Sequence, residues 1–167
     1  MTSTYQGSEE LLARTGDFIA DHRELYLSSG GTHGHIMGFA HVGVDKYLPS
    51  LLLQTTGRKS GRTSIVPLIY GCHGGEWVVI GSKGGTPEHP AWFLNMREME
   101  RVVIQIATQA FTAEWRQLDG EEYERVWEYM AEIFPPYLDY RRAVEGGRTI
   151  PVVKLKPVEP AAPLGND

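Results

Sequence analysis

Short apolar runs separated by glycine turns constrain the fold of this chain more than any other feature. Three of these runs, at residues 47–54, 63–71 and 76–81, are rich in residues that favour strands. Turn signals separate them, at Gly57, Gly61, Gly74-Gly75 and Gly84-Gly85. This alternation is typical of neighbouring antiparallel strands, and a meander is the simplest connection between them.

Further strands are predicted at residues 101–108, 111–118 and 149–156. Residues 28–43 are rich in glycine and histidine and have no clear period, so we interpret them as a loop or an ordering arm. With the helices described next, these strands predict an α+β fold, a small barrel-like domain of about six mostly antiparallel strands with flanking helices.

Four segments predict helices. The first covers residues 9–26, with an interruption at Gly16, and a short one covers residues 89–99, with Pro90 suited to its first turn. A third starts at the candidate N-cap Asp119 and ends at Pro135-Pro136. A last helical piece lies at residues 137–144.

The length of the chain suits one globular domain. It has 167 residues, of which 41% are hydrophobic and 22% charged. We expect an N-terminal helix and arm over residues 1–44, a barrel domain over 45–156 and a disordered tail over 157–167 that is rich in proline and small residues. No run approaches the length of a membrane span, and Cys72 is the only cysteine, so we expect a cytoplasmic protein without integral membrane contact.

A basic turn stands out against the acidic charge of the chain. Arg58, Lys59 and Arg62 lie within five positions, although the formal net charge is -5. Arginine binds phosphate or carboxylate through two parallel hydrogen bonds, and lysine adds a point charge. The cluster predicts a confined anionic ligand and argues against binding of nucleic acid, which needs a basic face. The alternative is a solvated hairpin tip.

A second glycine-rich segment, at residues 81–92, runs from the end of a strand to the start of a helix. Backbone N–H groups in such a segment can bind an anion, and the indole of Trp92 offers a flat face to a planar ring. The alternative is a loop beside a core tryptophan. Two cationic, glycine-bounded loops around paired strands favour a long ligand with a charged tail and a flat head.

Tyr137 and Tyr140 are three residues apart and fall on one helical face. They could wall a substrate cavity and supply a phenol for hydrogen bonding or proton delivery, or they could be half-buried packing residues. Three histidines have no carboxylate or cysteine partner at a familiar spacing, so we predict no metal site from His33, His35 and His41.

Five fragments in order resemble the deazaflavin-dependent nitroreductases, actinobacterial reductases that use reduced coenzyme F420. The fragments are Thr55-Thr56-Gly57-Arg58-Lys59-Ser60-Gly61, Pro67-Leu68, Gly81-Ser82-Lys83-Gly84-Gly85, His89-Pro90-Ala91-Trp92-Phe93-Leu94-Asn95 and Arg148-Thr149-Ile150-Pro151-Val152. The match covers roughly residues 45–156. The resemblance implies a split β-barrel of the flavin-reductase type, with the deazaflavin in a groove and its phosphate and oligoglutamate tail near the basic turn.

The resemblance also implies roles for individual residues. It places the cofactor against Thr56, Arg58, Lys59, Ser60, Arg62, Pro67, Ile80, Gly81, Ser82, Lys83, Gly84, Gly85, Ala91, Trp92 and Asn95. Pro67, Trp92 and Asn95 would line the ring pocket, and Tyr137, Tyr140 and Ser82 are the candidate catalytic residues. Two positions depart from some relatives, since Phe134 can be tyrosine and Ser64 can be arginine there.

The implied reaction is hydride transfer from reduced coenzyme F420 to a small electron-poor acceptor, such as an activated alkene, a quinone or a nitroaromatic compound. In such a reaction the protein mainly orients the cofactor and the acceptor. Two alternatives remain open at this point: an FMN-dependent oxidoreductase on the same barrel, and a non-catalytic carrier of the deazaflavin. The chain is expected to act as a monomer or a homodimer.

Overall fold

The computed structural model describes residues 8–165, with side chains from residue 16 onward. Its helices are α1 Ser8–Ser28, α2 Ala91–Met96, α3 Gly120–Ile133 and α4 Pro136–Ala143. Its strands are β1 Ile36–Phe39, β2 Val44–Thr56, β3 Thr63–Ile69, β4 Gly71–His73, β5 Glu76–Ile80, β6 Arg101–Ile106, β7 Gln109–Gln117 and β8 Val152–Ala161. Two short 3-10 turns, Ala40–Val42 and Lys83–Gly85, connect some of these elements.

The strands form one curled antiparallel sheet in the order β1-β2-β6-β7-β8-β5-β4. β3 leaves this path and pairs only with β2, in a register that runs from Ser50↔Ile69 to Thr56↔Thr63. β3 comes close to β5 without pairing with it, and we call the gap between these two strands the seam. The predicted α+β split barrel is therefore confirmed, and residues 8–165 contain eight strands rather than about six.

β3 has a free edge on the side that faces the seam. In an antiparallel ladder, alternate residues of an edge strand point their N–H and C=O groups away from the neighbouring strand. Proline is tolerated at such an edge because the missing N–H removes little from the ladder, and Pro67 lies within β3. β3 therefore presents unpaired backbone groups towards the seam.

Two of the three apolar clusters in the described residues pack α2, α3 and α4 against the sheet, and the third packs Tyr26 of α1 on Leu52. One packs α2 over the strands with buried Leu51, Leu53, Phe93, Met96, Ile104 and Leu155. The other packs α3 and α4 through the predicted stripe of Tyr123, Val126, Trp127 and Met130, all buried. The spacing of this stripe is that of one helical face, which is why the sequence shows α3 clearly.

Several expectations about local structure need correction. α1 runs through Gly16 without interruption, and the segment expected to be an irregular arm contains β1, which pairs with β2. The simple meander is also wrong, because β5 pairs with β4 and β8 rather than with β3. The curl of the sheet brings the last strand beside β5, and no local sequence pattern encodes that pairing.

Residues 157–161, which we expected to belong to a disordered tail, continue β8 along β7 to the pair Ala110↔Ala161. β5 pairs with β8 only as far as Leu155. Beyond that residue β8 has β7 as its one neighbouring strand, so the N–H groups that Pro157 and Pro160 lack are not required by a second strand. Leu164 is also buried, and its N–H donates to Gln105 Oε1 at 2.7 Å. Residues 166–167 and 1–7 lie outside the described part of the chain.

Candidate active site in the seam

A cavity of about 450 Å³ lies along the seam. Side chains from α1, β3, β5, α2 and α4 line it, together with the loop after β5. Nine residues predicted from the sequence meet in this cavity: Pro67, Ile80, Ser82, Lys83, Gly84, Ala91, Trp92, Tyr137 and Tyr140. The fold thus brings together in one cavity predicted residues as far apart in the sequence as Pro67 and Tyr140.

Residues 81–86, which we call the glycine loop, have an uncommon backbone. The φ angles of Lys83, Gly84 and Gly85 are 45°, 63° and 78°, in the left-handed region that favours glycine. A Cβ atom on Gly85 would lie 2.9 Å from the Tyr140 Cα, so only glycine allows this approach of the loop to α4. Gly81 similarly packs against Pro151, where a Cβ would meet the ring at 2.6 Å.

Arg148 holds the glycine loop from the side away from the cavity. Its Nε donates to Thr86 O at 2.9 Å, its Nη1 to Gly81 O at 3.1 Å and its Nη2 to Ser82 O at 2.6 Å. Nη1 also lies 3.1 Å from His89 Nδ1. Burial, and then the Arg148 and Arg97 charges, lower the pKa of His89, so a neutral His89 ring accepts this hydrogen bond.

The contacts of Arg148 fix the direction of the loop's N–H groups. Peptide bonds in the described residues are trans, and in a trans peptide the C=O and N–H groups point in opposite directions. Because the carbonyls of Gly81 and Ser82 point to Arg148, the N–H groups of Ser82 and Lys83 point away from it. Ser82 and Lys83 line the cavity and Arg148 does not. The loop therefore offers hydrogen-bond donors to a carbonyl or an anion on its cavity side.

Five aromatic side chains form what we call the aromatic wall of the cavity: Phe18, Phe39, Phe134, Tyr137 and Tyr140. Successive ring centroids along it lie 5.5, 5.8, 4.9 and 6.4 Å apart. These separations are those of ordinary aromatic contacts, so the rings support one another. The wall extends from α1 to α4 through rings that are tilted or edge-to-face to one another, and it gives the cavity an apolar side.

The two tyrosines of the wall carry its polar groups. Burial, more than the neighbouring Tyr140, raises the pKa of Tyr137. Burial, followed by the charge of Asp139, raises the pKa of Tyr140. Both phenols therefore keep their protons at neutral pH and can donate a hydrogen bond to a bound carbonyl or nitro oxygen.

The basic turn stands at the start of β3, beside the cavity wall formed by Ser64. Gly57 N–H donates to Arg62 O at 2.7 Å and closes the turn. No carboxylate of residues 16–165 forms an ion pair with Arg58, Lys59 or Arg62. The turn therefore carries uncompensated positive charge next to the cavity.

Asn95, which we expected in the ring pocket, lies beneath the basic turn instead. It is buried, and its Oδ1 accepts hydrogen bonds from the backbone N and the Nη1 of Arg58, both at 3.1 Å. Its Nδ2 donates to Thr55 Oγ1 at 3.1 Å. Asn95 therefore positions Arg58. The remaining predicted residues that do not line the cavity are Thr56, Arg58, Lys59, Ser60, Arg62, Gly81 and Gly85.

The three histidines considered for a metal site point in different directions. His33 Nδ1 lies 3.2 Å from Thr32 Oγ1, His35 Nε2 lies 2.7 Å from the Tyr70 hydroxyl, and His41 stacks on Phe18. Within the described residues, no group of three histidine, cysteine or acidic side chains could hold a metal ion. In the same part of the chain, no helix is long and apolar enough to cross a membrane.

The sequence reasoning missed two groups of site residues. Arg148 was noted only as part of a family-like fragment, because nothing local shows that its guanidinium reaches a loop more than sixty residues earlier. Phe18 lies in the first predicted helix and Phe39 in the segment interpreted as a loop or an arm, and neither prediction implies a place in the site. A run of aromatic and histidine residues at positions 18–41 was the available signal for a cavity wall.

A split barrel with an electropositive turn, a donor-rich loop and an aromatic cavity defines a flavin- or deazaflavin-type oxidoreductase. Residues 22–157 match the model of the F420H(2)-dependent quinone reductase family, and the chain belongs to that family. It is accordingly an F420-dependent reductase, and coenzyme F420 is its cofactor.

Individual relatives agree with this assignment. An F420H(2)-dependent quinone reductase of Mycobacterium tuberculosis is 32% identical over 137 residues, covering 80% of this chain and 86% of that protein. A solved F420-H2-dependent reductase is 36% identical with a TM-score of 0.58, covering 65% of this chain and 94% of that one. A structure described as a domain-swapped dimer is 32% identical with a TM-score of 0.60, covering 85% and 99%.

The residues of the seam fit coenzyme F420. Unpaired cations in the basic turn suit an anionic tail, and the donors of the glycine loop suit a phosphate or a ring carbonyl. Trp92 and Pro67 give the cavity flat apolar surface at the level of the β3 edge, where free backbone groups can pair with the edge of a heterocycle.

Proposed function

We propose that this protein transfers two electrons from reduced coenzyme F420 to a planar quinone. The observation that supports this most directly is that the aromatic wall and the glycine loop line one cavity of about 450 Å³. A planar acceptor can therefore stack on the wall while the cofactor occupies the loop side. The name of the Mycobacterium tuberculosis relative, a quinone reductase, favours this acceptor class.

In the proposed arrangement the basic turn holds the acidic tail of the cofactor. The Ser82 and Lys83 N–H groups bind phosphate or ring oxygens, and Pro67, Ile80, Ala91 and Trp92 contact the ring system. When bound, reduced F420 would supply a hydride, which together with a proton would convert the quinone to a hydroquinone and leave the cofactor oxidised.

The contribution of the protein is then orientation and polarisation. Holding the reacting atoms about 3 to 3.5 Å apart accelerates such a transfer without a nucleophile. Tyr137 and Tyr140 remain protonated at neutral pH, so either can donate to the acceptor oxygen as it gains negative charge. The Ser82 hydroxyl, which lines the same cavity, is a third donor.

Activated alkenes and nitroaromatic compounds are the other acceptors that such a cavity admits, because each is planar and carries an oxygen for the tyrosines. We also propose a homodimer as the working assembly, supported by the similar structure described as a domain-swapped dimer. The cytoplasmic setting inferred from the single cysteine remains a prediction.

A binding and turnover experiment tests the proposed function. Oxidised F420 is titrated into the protein with FMN as the comparison, and F420H2 is then mixed with menadione, an enone or a nitroaromatic compound while its reoxidation is followed. We expect tighter binding of F420 than of FMN and protein-dependent reoxidation, fastest with menadione. Preference for FMN would overturn the cofactor assignment to this site, and binding without reoxidation by any acceptor would favour a carrier.

Tyr137→Phe should slow menadione reduction on the order of thirtyfold, the loss expected when about 2 kcal/mol of transition-state hydrogen bonding is removed. F420 affinity should be nearly unchanged, because the phenol lies on the acceptor side. Tyr129→Phe serves as the matched control, because it removes a half-buried hydroxyl on α3 that accepts a hydrogen bond from Cys72 N–H at 3.2 Å and does not line the cavity. Equal rates for the two variants would make Tyr137 a packing residue.

A further inference from the structure

The end of the cavity beside α1 contains a buried polar group that the fold does not use. Ser50 lines the cavity and is 1% exposed, yet its Oγ has no hydrogen-bond partner among the described residues. Buried hydroxyl groups in native proteins almost always have a partner. An unsatisfied hydroxyl in a cavity wall is therefore a candidate contact for a ligand.

The backbone of Ser50 is fixed on both sides. Its N–H donates to His35 O at 2.7 Å, and its carbonyl accepts from the Tyr26 hydroxyl at 2.9 Å. These bonds leave the side-chain hydroxyl as the free polar group of the residue. The position of Oγ is therefore set by the sheet and by α1.

The register of the sheet places this hydroxyl on the cavity side. Ser50 lies directly opposite Ile69 in the β2–β3 pair, and opposite residues in an antiparallel pair share one face. Ile69 lines the cavity and packs against the cluster that contains Phe39 and Phe134. The Ser50 side chain thus faces the same space as the aromatic wall.

α1 completes this end of the cavity through a stripe at helical spacing, Phe18, His22 and Tyr26. The rings of Phe18 and His22 have centroids 5.5 Å apart, and both residues line the cavity. His22 Nε2–H donates to Gly34 O at 2.7 Å. Burial, partly opposed by the bond to Gly34, lowers the pKa of His22, which leaves a neutral ring with Nδ1 as an acceptor.

The cavity therefore has polar groups at two ends with aromatic surface between them. Ser82 and Tyr137 belong to the end near the glycine loop and α4, whereas Ser50 and His22 belong to the end near α1. A ligand that satisfies both ends is flat and carries a polar oxygen on each side of its ring.

We propose that Ser50 is a specificity residue that selects acceptors with two opposed carbonyls. Its hydroxyl donates to the para-quinone oxygen farther from the glycine loop. A serine hydroxyl both donates and accepts, so it can also accept a hydrogen bond from the hydroquinone formed by reduction. This inference rests on the proposed reductase function and names the feature of the acceptor that the cavity recognises.

Ser50→Ala tests the inference, with Ser28→Ala as a matched control on the exposed surface of α1. Menadione binding to the cofactor-free protein is measured by quenching of tryptophan fluorescence. We expect Ser50→Ala to weaken menadione binding about tenfold, the loss typical of one hydrogen bond, and Ser28→Ala to leave it unchanged. In turnover with F420H2, kcat/KM for menadione should fall by a similar factor, while kcat/KM for cyclohexenone, which has one carbonyl, should stay the same.

The outcomes separate this inference from the proposed function. If the wild-type protein reoxidises F420H2 but Ser50→Ala binds and reduces menadione as well as the wild type, the inference is overturned and the function stands. An equal loss for menadione and cyclohexenone also overturns it, because Ser50 would not distinguish the two acceptors. If the wild type is inactive with every acceptor, the function fails, whereas the binding measurement still decides whether Ser50 contacts a quinone. A melting temperature confirms folding, and Ser50→Cys, which keeps a weak donor, replaces the alanine variant if that variant unfolds.

Discussion

Arg148 shows at the level of one residue how a charge outside the cavity can shape it. Its guanidinium bonds three carbonyls of the glycine loop at 2.6 to 3.1 Å, and the planar group can reach all three at once. An ammonium group is a compact donor and cannot match this fork. The orientation of the loop's N–H groups therefore depends on arginine specifically and not only on positive charge.

Arg148→Lys should lower F420 affinity by roughly tenfold or more, because at least one charge-assisted hydrogen bond to the loop is lost. Arg148→Ala should lower it further. The measurement is the F420 dissociation constant together with the melting temperature, and Arg142→Lys on the exposed face of α4 is the matched control. If the lysine variant loses stability but binds F420 normally, Arg148 supports the fold without orienting the site.

At the scale of elements, the three cations of the basic turn between β2 and β3 differ in how firmly the fold holds them. Asn95 of α2 fixes Arg58 through two hydrogen bonds, whereas Lys59 and Arg62 are exposed. The first cation is therefore held in place before any ligand arrives. The other two can adapt to a flexible acidic tail.

Replacing Lys59 and Arg62 together by alanine should weaken F420 binding about tenfold at low salt, since exposed charge pairs are each worth roughly 0.2 to 1 kcal/mol. The difference from the wild type should shrink as salt is added, because the charges are screened. The double variant Arg125→Ala with Lys156→Ala is the control, because it removes two positive charges from exposed sites outside the basic turn. A salt-independent loss, or no loss, would remove the turn from the binding site.

Elements with a strong local period were predictable, and pairings set by the curl of the sheet were not. The stripe of α3 from Tyr123 to Met130 and the hairpin around the basic turn follow from residues close in sequence. β1 lacks such a pattern and is stabilised by pairing with β2, and the prolines after Leu155 hid the continuation of β8. In the site, the glycine loop and the tyrosines were identified, but Ser50, Phe18 and Arg148 act through distant contacts that spacing does not reveal.

Across the whole molecule, three buried or half-buried histidines couple stability to pH. Burial lowers the pKa of His22 and His35, and burial with the Arg148 and Arg97 charges lowers that of His89. Each folded pKa lies below the ordinary value of 6.5, so the unfolded chain binds protons first as the pH falls. The histidines therefore favour the folded state fully above pH 6.5, and this contribution is lost as the pH decreases below it.

We expect the melting temperature to fall between pH 7 and pH 5, and His22→Gln to flatten that slope. One histidine contributes at most on the order of 1.4 kcal/mol per pH unit. The Arg116 hydrogen bonds lower the pKa of the Glu122 carboxyl to about 2, so Glu122 loses its contribution to stability only below its ordinary pKa of 4.5. The change in melting temperature between pH 7 and pH 5 therefore reports the histidines. His33→Gln, at an exposed site, is the control, and an unchanged slope in His22→Gln would exclude His22 as a source of the pH dependence.

The contact of Gly85 with Tyr140 joins the donor side and the acceptor side of the cavity into one mechanical unit. The two backbones meet without an intervening side chain, so no flexible group absorbs a displacement of the loop before it reaches α4. A cofactor that fixes the position of the glycine loop therefore also fixes the position of Tyr140 in α4. This coupling predicts that a bound cofactor stiffens the surface that the quinone contacts, so the cofactor-loaded protein should bind a quinone more tightly than the cofactor-free protein does.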